Sequence, residues 1–121
     1  MGEGSFRILE GDVHFDDLRI PIDHAIVRIR LEDVSRADAA SEVVSEIVLN
    51  DVSLVPGERV SIPFSLQHPA LADKGRYTIA VHADVDGEGE ITSGDYITME
   101  SFPVTPAESR ERVSVHVRKV G

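Results

Sequence analysis

The chain has 121 residues, the size of one domain, so we expect a single domain spanning residues 1–121. It has no cysteine, which excludes disulfides, thiolate metal ligands and a thiol nucleophile. The formal net charge is −10, the acidic residues are scattered along the chain, and most basic side chains stand next to a carboxylate. We therefore expect no nucleic-acid partner, and a basic or neutral protein surface is a more plausible partner.

The N-terminal sequence MGEGSFRILEGDVHF lacks the basic start and apolar stretch of a signal peptide, and no segment approaches the roughly 20 apolar residues that cross a bilayer. As written, the chain is expected to be cytoplasmic and without a membrane anchor. It would be periplasmic if an export signal had been removed. Residues 1–5 are expected to be disordered, and the sequence predicts no particular oligomeric state.

Apolar and polar residues alternate with period two along most of the chain, which predicts an all-β protein. Seven strands with turn signals between them are typical of a single antiparallel β-sandwich, immunoglobulin-like or transthyretin-like. The seven predicted strands lie at about residues 6–15, 27–31, 43–50, 60–66, 77–85, 91–99 and 113–117.

The segment LEDVSRAD, residues 31–38, follows the second predicted strand and is interpreted as a structural corner. Asp33 and Ser35 have short polar side chains that bond their own backbone at a strand exit. Arg36 can pair with Asp33 or Asp38 and fix the crossing loop. A single helical turn capped by Ser35 is the alternative conformation.

Pro63 interrupts the fourth predicted strand, and because proline cannot donate to a β-ladder, this strand is expected at a sheet edge or at a bulge. An exposed edge can accept a protein or peptide partner as an added strand. The candidate partner-binding edge consists of Ser61, Pro63 and Ser65. The alternative is that Pro63 only protects the edge against aggregation.

The acidic segment DVDGEGE, residues 84–90, is predicted to form a tight hairpin at Asp86-Gly87, with Asp84 facing solvent beside His82. Its spacing does not match a calcium-binding EF-hand loop, and two neighbouring side chains do not make a zinc site. We therefore predict no metal site and no cofactor. No catalytic residues are predicted either, because G-x-S-x-G, H-E-x-x-H and phosphate-binding glycine loops are absent.

The segment AIVRIRLEDVSRADAASEVVSEIVL, residues 25–49, resembles the type III secretion lipoprotein chaperones of the YscW kind, called pilotins, and the YbaY-type outer-membrane lipoproteins. Further similarity lies in SIPFSL (61–66) and in the loop HPALADKGRY (68–77). The resemblance covers roughly residues 10–104. Its core residues are Leu31, Asp33, Val34, Ser35, Ala37 and Asp38.

The resemblance implies a β-sandwich that acts by binding, as a pilotin does when it escorts a secretin subunit to the outer membrane. The expected function is therefore that of a non-catalytic, pilotin-like or chaperone-like binding module. This chain lacks the cysteine to which such proteins attach their lipid. The alternative function is an accessory domain that binds a metal ion or small ligand through its acidic hairpin.

Overall fold

The computed structural model of the protein describes residues 6–36, 38–105 and 112–121. The expectations for residues 1–5 and for Ala37 concern positions outside these ranges. The described residues form eight β-strands, so the all-β prediction is confirmed. In this part of the chain no helix is long and apolar enough to cross a bilayer.

The strands follow one another along the chain with no intervening helix in the described ranges. Six of them have between seven and 13 residues, whereas β6 and β7 have two residues each. The strands are β1 (Phe6–Phe15), β2 (Ile22–Asp33), β3 (Glu42–Leu54), β4 (Ser61–Pro69), β5 (Tyr77–Asp84), β6 (Tyr96–Ile97), β7 (Pro103–Val104) and β8 (Val113–Lys119).

One continuous sheet contains all eight strands, in the order β3-β2-β5-β6-β8-β1-β4, with β7 paired to β5. The pair β1–β8 is parallel and the other pairs are antiparallel. The sheet curls until its two end strands meet, where Ser45 Oγ on β3 donates a hydrogen bond to the Gln67 carbonyl oxygen on β4. The result is a nearly closed, barrel-like sheet.

The prediction of a single antiparallel sandwich of about seven strands is therefore wrong in its architecture. The first and last strands of the chain pair in parallel, with Val13 beside Val115, and β6 pairs with β8. These two contacts join what would otherwise be separate sheets. They connect residues distant in sequence, so the local alternation on which the prediction rested carries no signal for them.

The core fills the interior of the curled sheet, as the period-two pattern predicted. Ile29 and Leu31 on β2, and Ile79 on β5, are almost completely buried, because alternate residues of each strand point inward. Across the interior, the Phe15 and Tyr96 rings meet edge to face with their centroids 5.5 Å apart. The fully buried apolar side chains also include Val13, Val27, Leu66, Val115 and Val117.

The segment between β5 and β6 differs most from the prediction. Residues 85–95 form a loop without regular structure, not a tight hairpin, and only Tyr96–Ile97 of the predicted strand 91–99 is a strand. The short strand β7 was not predicted. The backbone N–H groups of this loop bond to carboxylates instead of to a neighbouring strand, which is why no ladder forms.

Candidate functional site

The predicted corner follows the end of β2 and is hydrogen-bonded to Arg76, just before the start of β5. Asp33 Oδ1 accepts a hydrogen bond from the Ser35 backbone N–H at 2.8 Å, and Ser35 Oγ accepts one from Arg76 N–H at 2.9 Å. Hydrogen bonding to Ser35, through its side chain and its backbone, lowers the pKa of Asp33 below its usual value. The side chains of Asp33 and Ser35 are thus both bonded to backbone N–H groups.

Arg36 and Asp38 are exposed, and no ion pair joins Arg36 to Asp33 or Asp38 in the structure. A turn bonded from Ala39 N–H to the Arg36 carbonyl oxygen takes the place of a helical turn. A small polar cavity of about 190 Å³ lies here, lined by Asp33, Ser35, Arg36, Ala39, Ala40 and Glu42. In this cavity the Ser35 side chain contacts the Asp33 carboxylate and the Arg76 backbone N–H group.

The free edge of β4 contains the three residues of the predicted partner-binding edge. The hydrogen bond from Phe15 N–H to the Val60 carbonyl oxygen, at 2.9 Å, fixes the alternation of the β1–β4 ladder. By this alternation the backbone groups of Ile62 and Phe64 point to β1, and those of the odd-numbered residues point away. The outward-pointing residues are Ser61, Pro63, Ser65 and Gln67.

Pro63 thus lies at a position where the β1 ladder needs no N–H donor, which explains why a proline is tolerated within β4. Ser61 and Ser65 keep their outward N–H groups, and both residues are exposed. The contact between Ser45 and Gln67 closes the sheet only at the far end of β4. Among the described strands, only β1 pairs with the edge from Ser61 to Ser65.

A second feature is a group of buried carboxylates that fixes the loop 85–95. Asp84 is fully buried, although its position in the strand pattern predicted a solvent-facing side chain. It accepts hydrogen bonds from Gly87 N–H at 2.9 Å, from Gly89 N–H at 2.8 Å and from Arg28 Nη1 at 3.0 Å. The prediction of a wet Asp84 was wrong because the loop folds back over the outer face of β5.

Asp95 supports the same loop from its other end. This side chain is also buried, and its two oxygens accept hydrogen bonds from Val85 N–H at 2.9 Å and from Thr92 N–H at 3.1 Å. His82 Nε2 donates to Asp95 Oδ2 at 2.8 Å. Asp95 and Arg28 were not among the site residues predicted from the sequence. The run Thr92-Ser93-Gly94-Asp95 is a local turn signal, but no local pattern connects Arg28 with Asp84.

The electrostatics of this group explain how two carboxylates can be buried together. Burial by itself raises the pKa of Asp84, but the Arg28 guanidinium and the N–H groups of Gly89 and Gly87 outweigh it and bring the pKa to about 2. One ligand atom each from His82, Asp84 and Asp95 lies within 4.8 Å of the others. Both carboxylates accept hydrogen bonds through both oxygens, and these bonds hold the loop in place.

The fixed loop forms one wall of a groove on the outer face of β2, β5 and β6. The volume of this groove is about 560 Å³, within the range of protein ligand sites. The loop contributes Gly89, Glu90 and Ile91 to it. The other lining residues are Arg28, Arg30, Glu32, Ala80, Val81, His82, Ile97 and Thr98. We call this feature the outer groove.

Two further histidines lie together at another place on the sheet. His14 and His116 are register partners on β1 and β8, and their rings stack with centroids 4.7 Å apart. His116 Nδ1 also contacts Asp16 Oδ2 at 2.6 Å. The sequence did not indicate this pairing, because it depends on the parallel register of the first and last strands.

Comparisons with known proteins agree on one kind of protein. The family model described as type III secretion system lipoprotein chaperone (YscW) matches residues 7–117. Among solved structures, an alternative pilotin from the type II secretion system of Vibrio cholerae is similar, with a TM-score of 0.75 and 25% sequence identity over 97% of this chain and 99% of that chain. A search of curated proteins finds no match.

Proposed function

The chain belongs to the type III secretion system lipoprotein chaperone (YscW) family, and we propose that it is a non-catalytic, pilotin-like chaperone that binds its partner along the free edge of β4. The family predicted from LEDVSRAD and the neighbouring motifs is thereby confirmed. The role is supported by the similarity to a pilotin over nearly the whole length of both chains.

The observation that carries the binding mode is the unpaired edge from Ser61 to Ser65. Its outward N–H and carbonyl groups can bond to an extended segment of another protein, which would add one strand to the sheet. No Asp, Glu, Lys or Arg occurs in β4, whose sequence is SIPFSLQHP. An added strand therefore meets no charged side chain of β4 itself.

The partner we propose is a secretin subunit of a secretion system. This assignment follows from the pilotin-like family and not from a feature of the edge, because backbone hydrogen bonds select an extended conformation more than a sequence. A non-catalytic role is supported by the way in which Asp33, Asp84 and Asp95 are bonded to backbone N–H groups.

The test measures binding of the soluble part of the secretin from the same organism by isothermal titration calorimetry. Ser65→Pro removes an outward N–H group of β4 and leaves the β1 ladder intact, so we expect binding to weaken at least about tenfold. Ser65→Ala is the matched control, because it removes the hydroxyl and keeps the N–H group. Equal affinity of the two variants, both with an unchanged melting temperature, would contradict strand addition.

The alternative function, metal binding by the acidic segment, is supported by one observation, the proximity of His82, Asp84 and Asp95. Binding there would compete with the hydrogen bonds that fix the loop. Calorimetric titration with Ca²⁺ and Zn²⁺ separates the two functions. Micromolar affinity together with a clear rise in melting temperature would favour the metal-binding function.

A further inference from the structure

The positive side chains that line the outer groove are paired within the protein, whereas two of its negative side chains are not. Arg28 is paired with the buried Asp84, and Arg30 Nε is paired with Glu46. Each arginine that lines the groove is thus balanced by a carboxylate of the protein itself. The guanidinium groups therefore add little net positive charge to this surface.

Two carboxylates of the outer groove have no such balance. Glu32 accepts a hydrogen bond from Ser41 Oγ at 3.1 Å, and Glu90 lies exposed on the loop wall. Within the described part of the chain, no Lys, Arg or His forms an ion pair with either side chain. The two glutamates leave the groove with a net negative charge.

Next to these carboxylates the groove is apolar. Ala80 on β5 and Ile97 on β6 line it, and Ile91 on the loop has 55% of its surface exposed to solvent. These three side chains form an apolar strip beside the two carboxylates. The hydrogen bonds of Asp84 and Asp95 hold the loop in position, so the groove is formed before a ligand arrives.

From this arrangement we propose that the outer groove binds a peptide segment of a partner protein that carries a Lys or Arg beside apolar side chains. The basic side chain pairs with Glu32 and Glu90, and its apolar neighbours cover Ile91, Ala80 and Ile97. The formal net charge of −10 favours the approach of such a segment. The proposal goes beyond strand addition, because it concerns another surface and would stand if the β4 edge bound nothing.

The experiment uses three synthetic peptides that differ at two positions: acetyl-LKLKL-amide, acetyl-LQLQL-amide and acetyl-LELEL-amide. Binding to the full chain is followed by ¹H–¹⁵N correlation spectra, which also locate the contact. We expect the lysine peptide to bind most tightly and to shift the amide signals of Ala80, Ile91 and Ile97. Added salt should weaken its binding.

The protein variant is the double substitution Glu32→Gln and Glu90→Gln, which keeps the shape of both side chains. Exposed ion pairs are worth about 0.2 to 1 kcal/mol each, so losing both should lower the affinity for the lysine peptide roughly two- to thirtyfold. The single substitution Glu58→Gln is the control, because it removes an exposed carboxylate from the loop before β4, outside the groove. It should leave the affinity unchanged.

Ile91→Ser tests the apolar half of the site and should weaken the lysine and glutamine peptides alike. The proposal is overturned if the lysine and glutamine peptides bind equally, or if the shifted amides map to β4 instead of the groove. Tighter binding of the glutamate peptide would also overturn it, since Arg28 and Arg30 would then be the recognising groups.

Discussion

At the scale of single residues, Asp84 is the side chain that most directly shapes the outer groove. Its carboxylate is fully buried and accepts hydrogen bonds from Gly87, Gly89 and Arg28. Because the pKa of Asp84 is about 2 in the folded protein and 3.8 ordinarily, the ionised form stabilises the fold. This stabilisation is complete above about pH 4 and is lost as the pH falls toward the folded pKa.

We therefore predict that Asp84→Asn lowers the free energy of unfolding at pH 7 by roughly 1.5 to 3 kcal/mol, the usual worth of hydrogen bonds to a charged group. Below about pH 4, the variant should lose less stability than the wild type. Urea unfolding between about pH 2 and pH 7 measures both effects. Asp38→Asn, at an exposed position of the corner, is the control. Parallel pH profiles for wild type and Asp84→Asn would refute this account.

Gly11 illustrates a close approach that only glycine permits. A Cβ atom at this position would lie 2.7 Å from Cζ of Phe64, its register partner on β4, and closer still to the backbone carbonyl oxygen of Val113 on β8. We predict that Gly11→Ala destabilises the protein by about 1 to 3 kcal/mol, the cost of overpacking a core. Phe64→Ala should cost about 3 to 5 kcal/mol because the ring is buried.

Combining Gly11→Ala with Phe64→Leu tests whether the ring itself is the obstacle. The double variant should lose less stability than the sum of the two single changes, since a smaller side chain makes room for the new methyl group. Thermal unfolding of the four proteins gives the comparison. Strict additivity would mean that the Val113 carbonyl oxygen, not the Phe64 ring, limits the size of residue 11.

At the scale of elements, the alternation of β4 predicts which positions tolerate a second proline. Ser61 and Ser65 direct their N–H groups away from β1, whereas Ile62 directs its N–H group into the ladder. Ser65→Pro should leave the melting temperature nearly unchanged, and Ile62→Pro should cost at least about 1 to 3 kcal/mol by leaving a ladder acceptor unpaired. Equal destabilisation by both prolines would show that the edge is not free.

The strands with regular alternation could be predicted from the sequence because their side chains face either the core or solvent. Ile79 and Leu31, for example, occupy inward positions of the alternating pattern and are buried. The short strands β6 and β7 could not be predicted, since their two residues each are placed by neighbouring strands and not by their own pattern. Sheet closure through β1–β8 and the burial of Asp84 also depend on contacts distant in sequence.

Of the two candidate binding surfaces, the β4 edge could be predicted from the sequence and the outer groove could not. Pro63 predicted an edge position for β4 because proline cannot donate to a β-ladder, and β4 is an end strand of the sheet. The outer groove had no comparable signal. One wall of the groove is a loop held by Asp84, and Asp84 is paired with Arg28, 56 residues away in sequence. Local sequence patterns carry no signal for a contact at that separation.

At the scale of the whole molecule, a nearly closed sheet leaves few backbone groups for a partner. The end strands β3 and β4 are in contact near Ser45 and Gln67, and in the proposed mode the partner pairs with the remainder of the β4 edge. A chaperone of this shape would bind a partner segment by its backbone, while the acidic surface favours basic or neutral partners.

Hydrogen exchange of the β4 amides, measured with and without the secretin, tests this account most directly. Strand addition predicts that the partner slows exchange at Ser61 and Ser65, whose N–H groups point outward from the free part of the edge. It predicts little change at Ile62, Phe64 and Leu66, which already bond to β1. Binding of the secretin without this alternating protection along β4 would contradict the proposed mode.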